Sequence, residues 1–372
     1  MKYIRLLSVT LLLALVACGQ PAGNGEPVKI GLITPLTGEI AALGVDISHG
    51  AELKLAEMNA AGGIQGRLVQ LVMEDGRCSG ADAAAAIQKL INIDHVVAVH
   101  GAGCSSESLA AAPIAEAAGI VLMSPSSSNP DLTSAGDFFF RTYPSDDLKT
   151  TAMAQYFAQE GFKKVAILSE DTDFCQGVRM GLLQKLDEGA VVFDEVVDPN
   201  TKDFRSLLTR LKKLDFDVLV ANPQTPPTGA AMLQQMREAG FQQLVISHDV
   251  MDNTVVLELA SEAAEGFQVI NVPTVASEAP FGQKFIAVYG EPQANMAWGA
   301  YGYDTLGVLA QAIEKAGTDG AAMRDYLYAL DSYPAVVGDI SFDENGDVLG
   351  IHYALREVQD GAFVQVADIA VE

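Results

Sequence analysis

Strict alternation between short apolar runs and amphipathic stretches constrains this chain more than any other feature. Apolar runs at residues 28–34, 68–73, 96–99 and 120–123 are each separated by helix-like sequence. Neighbouring parallel strands need a crossover of a dozen or more residues, which a helix supplies, so the alternation predicts a mainly parallel sheet flanked by helices. The pattern restarts at residues 165–168, 191–197, 218–220 and 244–246. Between the second and third of these, Phe204, Leu207, Leu208 and Leu211 fall at i, i+3, i+4 and i+7, which lays one apolar stripe on a helix. The expected fold class is therefore α/β in two halves, and 372 residues suffice for two domains of ordinary size. No repeat of solenoid period is visible, and the alanine-rich residues 81–86 read as good helix.

Two places suggest where the chain passes from one half to the other. Residues 138–146 form an apolar run closed by Pro144 and a Ser145-Asp146 pair suited to start a helix, so the first half is expected to end there. Residues 266–273 again run out through a proline, ahead of a long helix-like stretch at 298–316, and read as a second crossing.

The N-terminal residues predict an extracytoplasmic address. Lys2 and Arg5 precede an apolar run at 6–16 and then small residues, the layout of a secretory signal over residues 1–17. The run is short for a membrane span. Leu15-Val16-Ala17-Cys18 resembles the bacterial lipobox, in which Cys18 becomes the lipidated first residue; residues 18–27, rich in Gly and Pro, then form a flexible tether. An ordinary signal peptide with a chance cysteine is the alternative. Outside the cytoplasm disulfides persist, and Cys78 and Cys104 both lie just past expected strand ends in one part of the chain. They are expected to pair, which leaves Cys175 over. The formal charge of −25, from 23 Lys+Arg against 48 Asp+Glu, argues against a nucleic-acid binder and against polybasic docking on lipid.

Ligands of open α/β sheets bind outside the carboxyl ends of the strands. There the first half places Thr34-Pro35-Leu36-Thr37-Gly38, Gly101-Ala102-Gly103-Cys104-Ser105-Ser106 and Ser124-Pro125-Ser126-Ser127-Ser128-Asn129. The second half places Glu170-Asp171-Thr172-Asp173-Phe174, Asn222-Pro223-Gln224-Thr225 and Ser247-His248-Asp249. One half offers hydroxyls and turn amides, the other carboxylates. That polarity suits a zwitterion, with donors for its carboxylate and an acid for its ammonium. Any one of these serines, or Asp249, also suits a helix N-cap; the conjunction at several strand ends is what points to a ligand.

Catalytic signatures are weak by comparison. Gly101-Ala102-Gly103 begins like a dinucleotide fingerprint, but Ser106 stands where the third glycine or alanine belongs. The chain has no P-loop and no Gly-x-Ser-x-Gly elbow. His49, His95, His100, His248 and His352 lack metal-ligand spacing, and Asp343-Glu344-Asn345-Gly346-Asp347 carries its glycine two positions too early for a calcium loop. The latter reads as a turn between strands near Ile340 and Ile351. No cofactor is expected, and a secreted α/β enzyme is kept as the alternative of another class.

Asn59-Ala60-Ala61-Gly62-Gly63-Ile64-Gln65-Gly66-Arg67, Phe140-Arg141-Thr142-Tyr143-Pro144-Ser145-Asp146, Asp203-Phe204-Arg205 and Phe342-Asp343-Glu344-Asn345-Gly346-Asp347 resemble segments of the branched-chain amino-acid binding proteins of ABC importers. The resemblance covers essentially the whole mature chain. It implies the type I periplasmic binding protein fold: two Rossmann-like lobes with central, mainly parallel sheets, joined by a hinge of three crossings. The third crossing falls near 349–351, giving 28–145 with 274–350 as lobe 1 and 146–273 with 351–372 as lobe 2. The family's bridge matches Cys78 and Cys104. Ser105, Ser126 and Ser128 match positions that hold the ligand's carboxylate and ammonium, Asp249 the acid for the ammonium, and Phe174 an aromatic position of the second lobe.

Departures from the family pattern fall on the side-chain pocket. Leu43 stands where some members have a tyrosine, and Gln224 or Thr225 occupies the place of another in the proline-rich loop 222–228. The expected function is capture of a small amino acid, leucine, isoleucine or valine foremost, for delivery to an ABC permease, with the lipid anchor as the membrane contact. Other amino acids, amides and small carboxylates are alternative ligands, and a sensor of the same fold is an alternative role.

Overall fold

The computed structural model describes residues 25–371. The signal segment 1–17, Cys18 and most of the tether lie outside the described residues. From β1 (Val28–Thr34) the chain alternates through α1 (Ala41–Ala60), β2 (Val69–Asp75), α2 (Gly80–Lys89), β3 (Ala98–His100), α3 (Ser105–Ala118) and β4 (Val121–Ser124) to β5 (Phe139–Arg141). A second series runs α4 (Asp146–Glu160), β6 (Val165–Glu170), α5 (Asp173–Lys185), β7 (Val191–Val197), α6 (Arg205–Leu211) and β8 (Val218–Asn222), then α7 (Pro226–Glu238), β9 (Leu244–His248), α8 (Thr254–Ala260) and β10 (Gln268–Asn271). Helices α9 (Pro280–Tyr289), α10 (Met296–Ala316) and α11 (Gly320–Tyr328) follow, and the chain ends in the hairpin β11 (Tyr353–Gln359) and β12 (Ala362–Ile369).

The apolar runs became strands because both faces of each sheet are covered: β3, β4, β6 and β8 are buried along their full length. Helices begin where a side chain accepts an otherwise unpaired backbone N–H. Ser79, Ser145, Thr172 and Thr225 cap α2, α4, α5 and α7 in this way. Among the described residues no helix is long and apolar enough to cross a membrane.

The first sheet has the order β2-β1-β3-β4-β5, all parallel. The second reads β12-β11-β10-β9-β8-β6-β7, parallel from β7 to β10. Within their parallel parts both sheets share one plan, in which the first strand lies between the second and the third. Each therefore has a topological switch point, β1/β3 in one and β6/β8 in the other, where diverging loops leave a crevice. The antiparallel hairpin that widens the second sheet lies beyond the sequence expectation.

Three chain segments pass between the sheets. The first follows Arg141; the second follows Asn271, after which α10 packs on α1 and β3. The third follows Val348 and enters β11. Arg141 bridges to Asp347, and Asn271 pairs with Ala354, so the three segments run side by side. Residues 343–347 form the expected turn: Asp343 Oδ1 accepts the N–H groups of Asn345 (2.8 Å) and Asp347 (2.9 Å), while Phe342 and Val348 pair antiparallel. The fully buried Arg141 clamps this turn with a two-pronged grip on Asp347, Nε to Oδ1 at 2.6 Å and Nη2 to Oδ2 at 2.8 Å.

Helices α1 and α10 approach backbone to backbone. A Cβ added at Gly50 would lie 1.8 Å from the carbonyl oxygen of Gly299, and one at Gly302 would lie 2.1 Å from that of Ile47. Only glycine permits this contact, which locks the two helices into one wall of the crevice.

Candidate ligand-binding cleft

The two switch points face each other. From the first half come Leu43 in the first turn of α1, Ser105 at the start of α3, and Ser126 in the loop after β4. From the second come Phe174 in the first turn of α5, Gln224 after β8, and Asp249 after β9. These six residues, each singled out from sequence, line one cavity. Ile40, Val250 and Trp298 join them there, and none was singled out from sequence. Trp298 had a signal: it is the only tryptophan, in the first turn of the helix after the second crossing.

The walls are nearly in contact. The central cavity holds about 20 Å³, room for one or two waters and too little for an amino acid. Toward solvent it opens on a polar cleft of about 450 Å³ between Thr37 and Arg77 on one side and Asp173 and Gln176 on the other. On another side an apolar recess of about 140 Å³ is walled by Ala42, Leu43, Pro226, Val250 and Trp298.

Hydrogen bonding fixes what each hydroxyl can still do. Ser105 Oγ accepts the N–H of Asn129 at 3.2 Å, which leaves its proton to donate. It stands in the first turn of a 14-residue helix, where the helix dipole also favours a negative group. Ser126 Oγ donates to the carbonyl of Gly103 at 2.7 Å, which leaves lone pairs to accept. A carboxylate at Ser105 and an ammonium near Ser126 and Asp249 would therefore both be met. Ser128 lies outside the cavity lining: its hydroxyl donates to Asp146 Oδ2 at 2.9 Å and is thereby spent within the second half's helix start.

Asp249 is held from behind by the protein itself. Lys149 Nζ lies 2.6 Å from Asp249 Oδ1 and 2.6 Å from Asp146 Oδ1, and the Tyr143 hydroxyl donates to Asp249 Oδ2 at 2.8 Å. All four side chains are buried. Burial alone would push the Asp249 carboxyl up, but the Lys149 ammonium and the Tyr143 hydroxyl hold it below the usual carboxylate range. Burial would likewise lower Lys149, yet Asp146 and Asp249 outweigh it and keep the ammonium charged. The Phe174 ring lies 5.1 Å from Lys149 Nζ and seals that side. Lys149 carried a sequence signal that charge alone conceals: with Ala152, Met153 and Tyr156 it falls on the buried stripe of α4.

Glu170, at the end of β6, accepts the Gln224 N–H at 2.5 Å and so fixes the 222–225 loop. His248 sits edge-on to Phe174, fully buried; neither ring nitrogen is hydrogen-bonded, and Nδ1 lies 3.6 Å from Asp249 Oδ1. Its burial lowers its pKa to about 3. The unfolded chain then binds a proton that the folded one refuses, so stability falls as pH drops from 6.5 towards 3. His248→Leu, close to volume-conserving, is expected to leave stability near neutral pH within about 1 kcal/mol. It should also remove roughly 3 kcal/mol of acid sensitivity by pH 4. Urea denaturation at pH 7 and pH 4 measures both, and parallel pH profiles of variant and parent would refute the prediction.

The Cys78 and Cys104 sulfurs are bonded, as expected, and Cys175 is free and buried. The bridge ties the loop after β2 to the start of α3. Between them Glu107 accepts the N–H of Cys78 at 2.7 Å and of Cys104 at 2.9 Å. The bridged residues are 26 apart, so the chain-entropy model gives the bond about 3–4 kcal/mol. A Cys78→Ala, Cys104→Ala double variant should lose that much in chemical denaturation, with a smaller loss of ligand affinity because Ser105 adjoins the bridge. A loss under 1 kcal/mol would show that the bridge constrains little.

The family model described as periplasmic binding protein matches residues 27–362. A Leu/Ile/Val-binding protein of Escherichia coli strain K12 is 29% identical over 337 residues, covering 89% of this chain and 90% of its own. A leucine binding protein LivK from Thermotoga maritima superposes with a TM-score of 0.83 at 29% identity, over 92% of this chain and 98% of its own. The branched-chain amino acid transporter substrate binding protein LivJ from Streptococcus pneumoniae, in complex with isoleucine, gives 0.80 at 26% identity, over 91% of this chain and 100% of its own.

Proposed function

The chain belongs to the periplasmic binding protein family, and from that membership we propose that it captures a small amino acid, leucine, isoleucine or valine foremost, and delivers it to an ABC permease. The observation that carries this reading is the opposed chemistry across one cavity. A hydroxyl proton at a helix start stands on one side, a buried acid on the other, and Leu43, Phe174, Val250 and Trp298 supply apolar wall between. The names of the relatives support the choice of ligand. Capture without chemistry is the proposed role: the buried ionic groups of the cleft are engaged with one another and serve to position charge.

The lobes in this reading are 28–145 with 274–350 and 146–273 with 351–372. A ligand of amino-acid size fits the central cavity only if the walls part, so entry and closure accompany binding. It docks first at Ser105 and Ser126, and the second lobe then brings Phe174, Gln224 and Asp249. Contacts from both lobes supply the differential affinity that closure requires. The leader places the protein outside the cytoplasm, held to a membrane by lipid on Cys18. A thermal-shift screen of the mature chain against the amino acids and a set of small carboxylates tests the ligand. Stabilisation by leucine, isoleucine or valine is expected; no shift with any amino acid would overturn the reading.

A further inference from the structure

Asp249, the acid proposed for the ligand's ammonium, is already paired within the chain. Lys149 Nζ lies 2.6 Å from one of its oxygens and the Tyr143 hydroxyl 2.8 Å from the other, so the chain brings an ammonium of its own to this carboxylate. Lys149 is fully buried, under the ring of Phe174, and cannot exchange this partner for solvent. Its second partner, Asp146, is answered separately by the Ser128 hydroxyl and by the N-terminus of α4, whose first residue it is.

We propose that Lys149 is a specificity-determining residue which relieves Asp249 of its need for a ligand cation, so that the cleft takes branched apolar carboxylates with or without an α-ammonium. The inference rests on the amino-acid reading above and widens its ligand class to the deaminated analogues. Its physical basis is the cost of an uncompensated buried charge. Were Asp249 alone, a ligand lacking the ammonium would leave it desolvated and unpaired, a loss on the order of a hundredfold or more in affinity. With Lys149 in place the carboxylate stays paired whichever ligand binds, and the ammonium adds the increment of one further hydrogen bond, about tenfold. The donor side of the cleft is indifferent to the change. Ser105 and the first turn of α3 address the carboxylate, which both ligands carry, and the apolar wall addresses the same branched side chain.

The test is isothermal calorimetry with leucine and with 4-methyl-2-oxopentanoate on the mature protein, its Lys149→Met variant, and a Lys149→Met, Asp249→Asn double variant. The parent should bind both ligands within about tenfold of each other. Lys149→Met should open that ratio to about a hundredfold or more in favour of leucine, because Asp249 then demands a cation. The double variant should close the ratio again, an outcome that a merely structural role for Lys149 would not produce. If the single variant fails to fold, the double variant still reads the ratio, since Asp249 no longer needs a cation and Asp146 keeps the Ser128 hydroxyl and the start of α4. A parent that binds leucine and rejects the oxo acid by more than a hundredfold overturns the role of Lys149 and leaves the amino-acid reading standing. Heat with neither ligand overturns this inference, and overturns the amino-acid reading as well when no amino acid shifts the melting temperature.

Discussion

Asp249→Ala is expected to weaken binding of an amino-acid ligand by about a hundredfold, the equivalent of roughly 3 kcal/mol. Two effects act together. The ligand's ammonium loses its acid, and it is left to face the Lys149 ammonium, which Asp249 had neutralised at 2.6 Å. The Tyr143 hydroxyl also loses its acceptor in a fully buried setting, which costs the fold on the order of 1–3 kcal/mol. Calorimetry and urea denaturation separate the two losses. A variant that binds the parent's best ligand with the parent's affinity would remove Asp249 from the site. Retained affinity combined with lost stability would make it a structural acid only.

Arg141→Met should destabilise the protein by about 3–5 kcal/mol, the largest loss expected from any single change outside the cleft. The guanidinium is wholly buried and makes four contacts that a thioether cannot. It reaches Asp347 at 2.6 and 2.8 Å, the Asn129 carbonyl at 2.9 Å and the Thr133 hydroxyl at 2.8 Å. Removing it leaves Asp347, whose side chain is only 15% exposed, with the Thr133 hydroxyl but no counter-charge. Arg141→Lys should recover little, since a point-like ammonium cannot reproduce the two-pronged grip. The Arg141→Met, Asp347→Leu pair should be milder than the single change, because no lone charge remains. A single-variant loss below 1 kcal/mol in urea denaturation would contradict the assignment.

How much was readable in advance follows physical lines. Strands buried on both faces announce themselves as apolar runs, so β1 and β7 match the expected boundaries and the others shift by a few residues at most. The polar loops at their ends stand out against those runs, which is why six cavity residues were legible one by one. Sheet order was not legible, because pairing is a long-range choice that no local pattern records. The terminal hairpin was missed for a related reason: Arg356 and Glu357 interrupt β11, and Gln365 and Asp368 interrupt the largely exposed β12, so neither strand reads as one unbroken apolar run. Lys149 was missed because a lysine in isolation reads as a solvated surface residue, and only its register on α4 betrays it. Ser128 was assigned to the cleft beside Ser126, but a two-residue step along the loop carries it to Asp146.

The three side-by-side chain segments between the sheets have a kinematic consequence. Two bodies joined by one thread can swing, slide and twist in every sense. Three adjacent threads, with Arg141 bridged to Asp347 and Asn271 paired to Ala354, resist sliding and twisting and leave one easy rotation, about the line that runs through them. Opening and shutting then reduces to a single angle. In the proposed capture, Ser105 and Asp249 lie at fixed radii from that line, so each closure returns them to the same register, and the ligand meets an arrangement that does not have to be searched for.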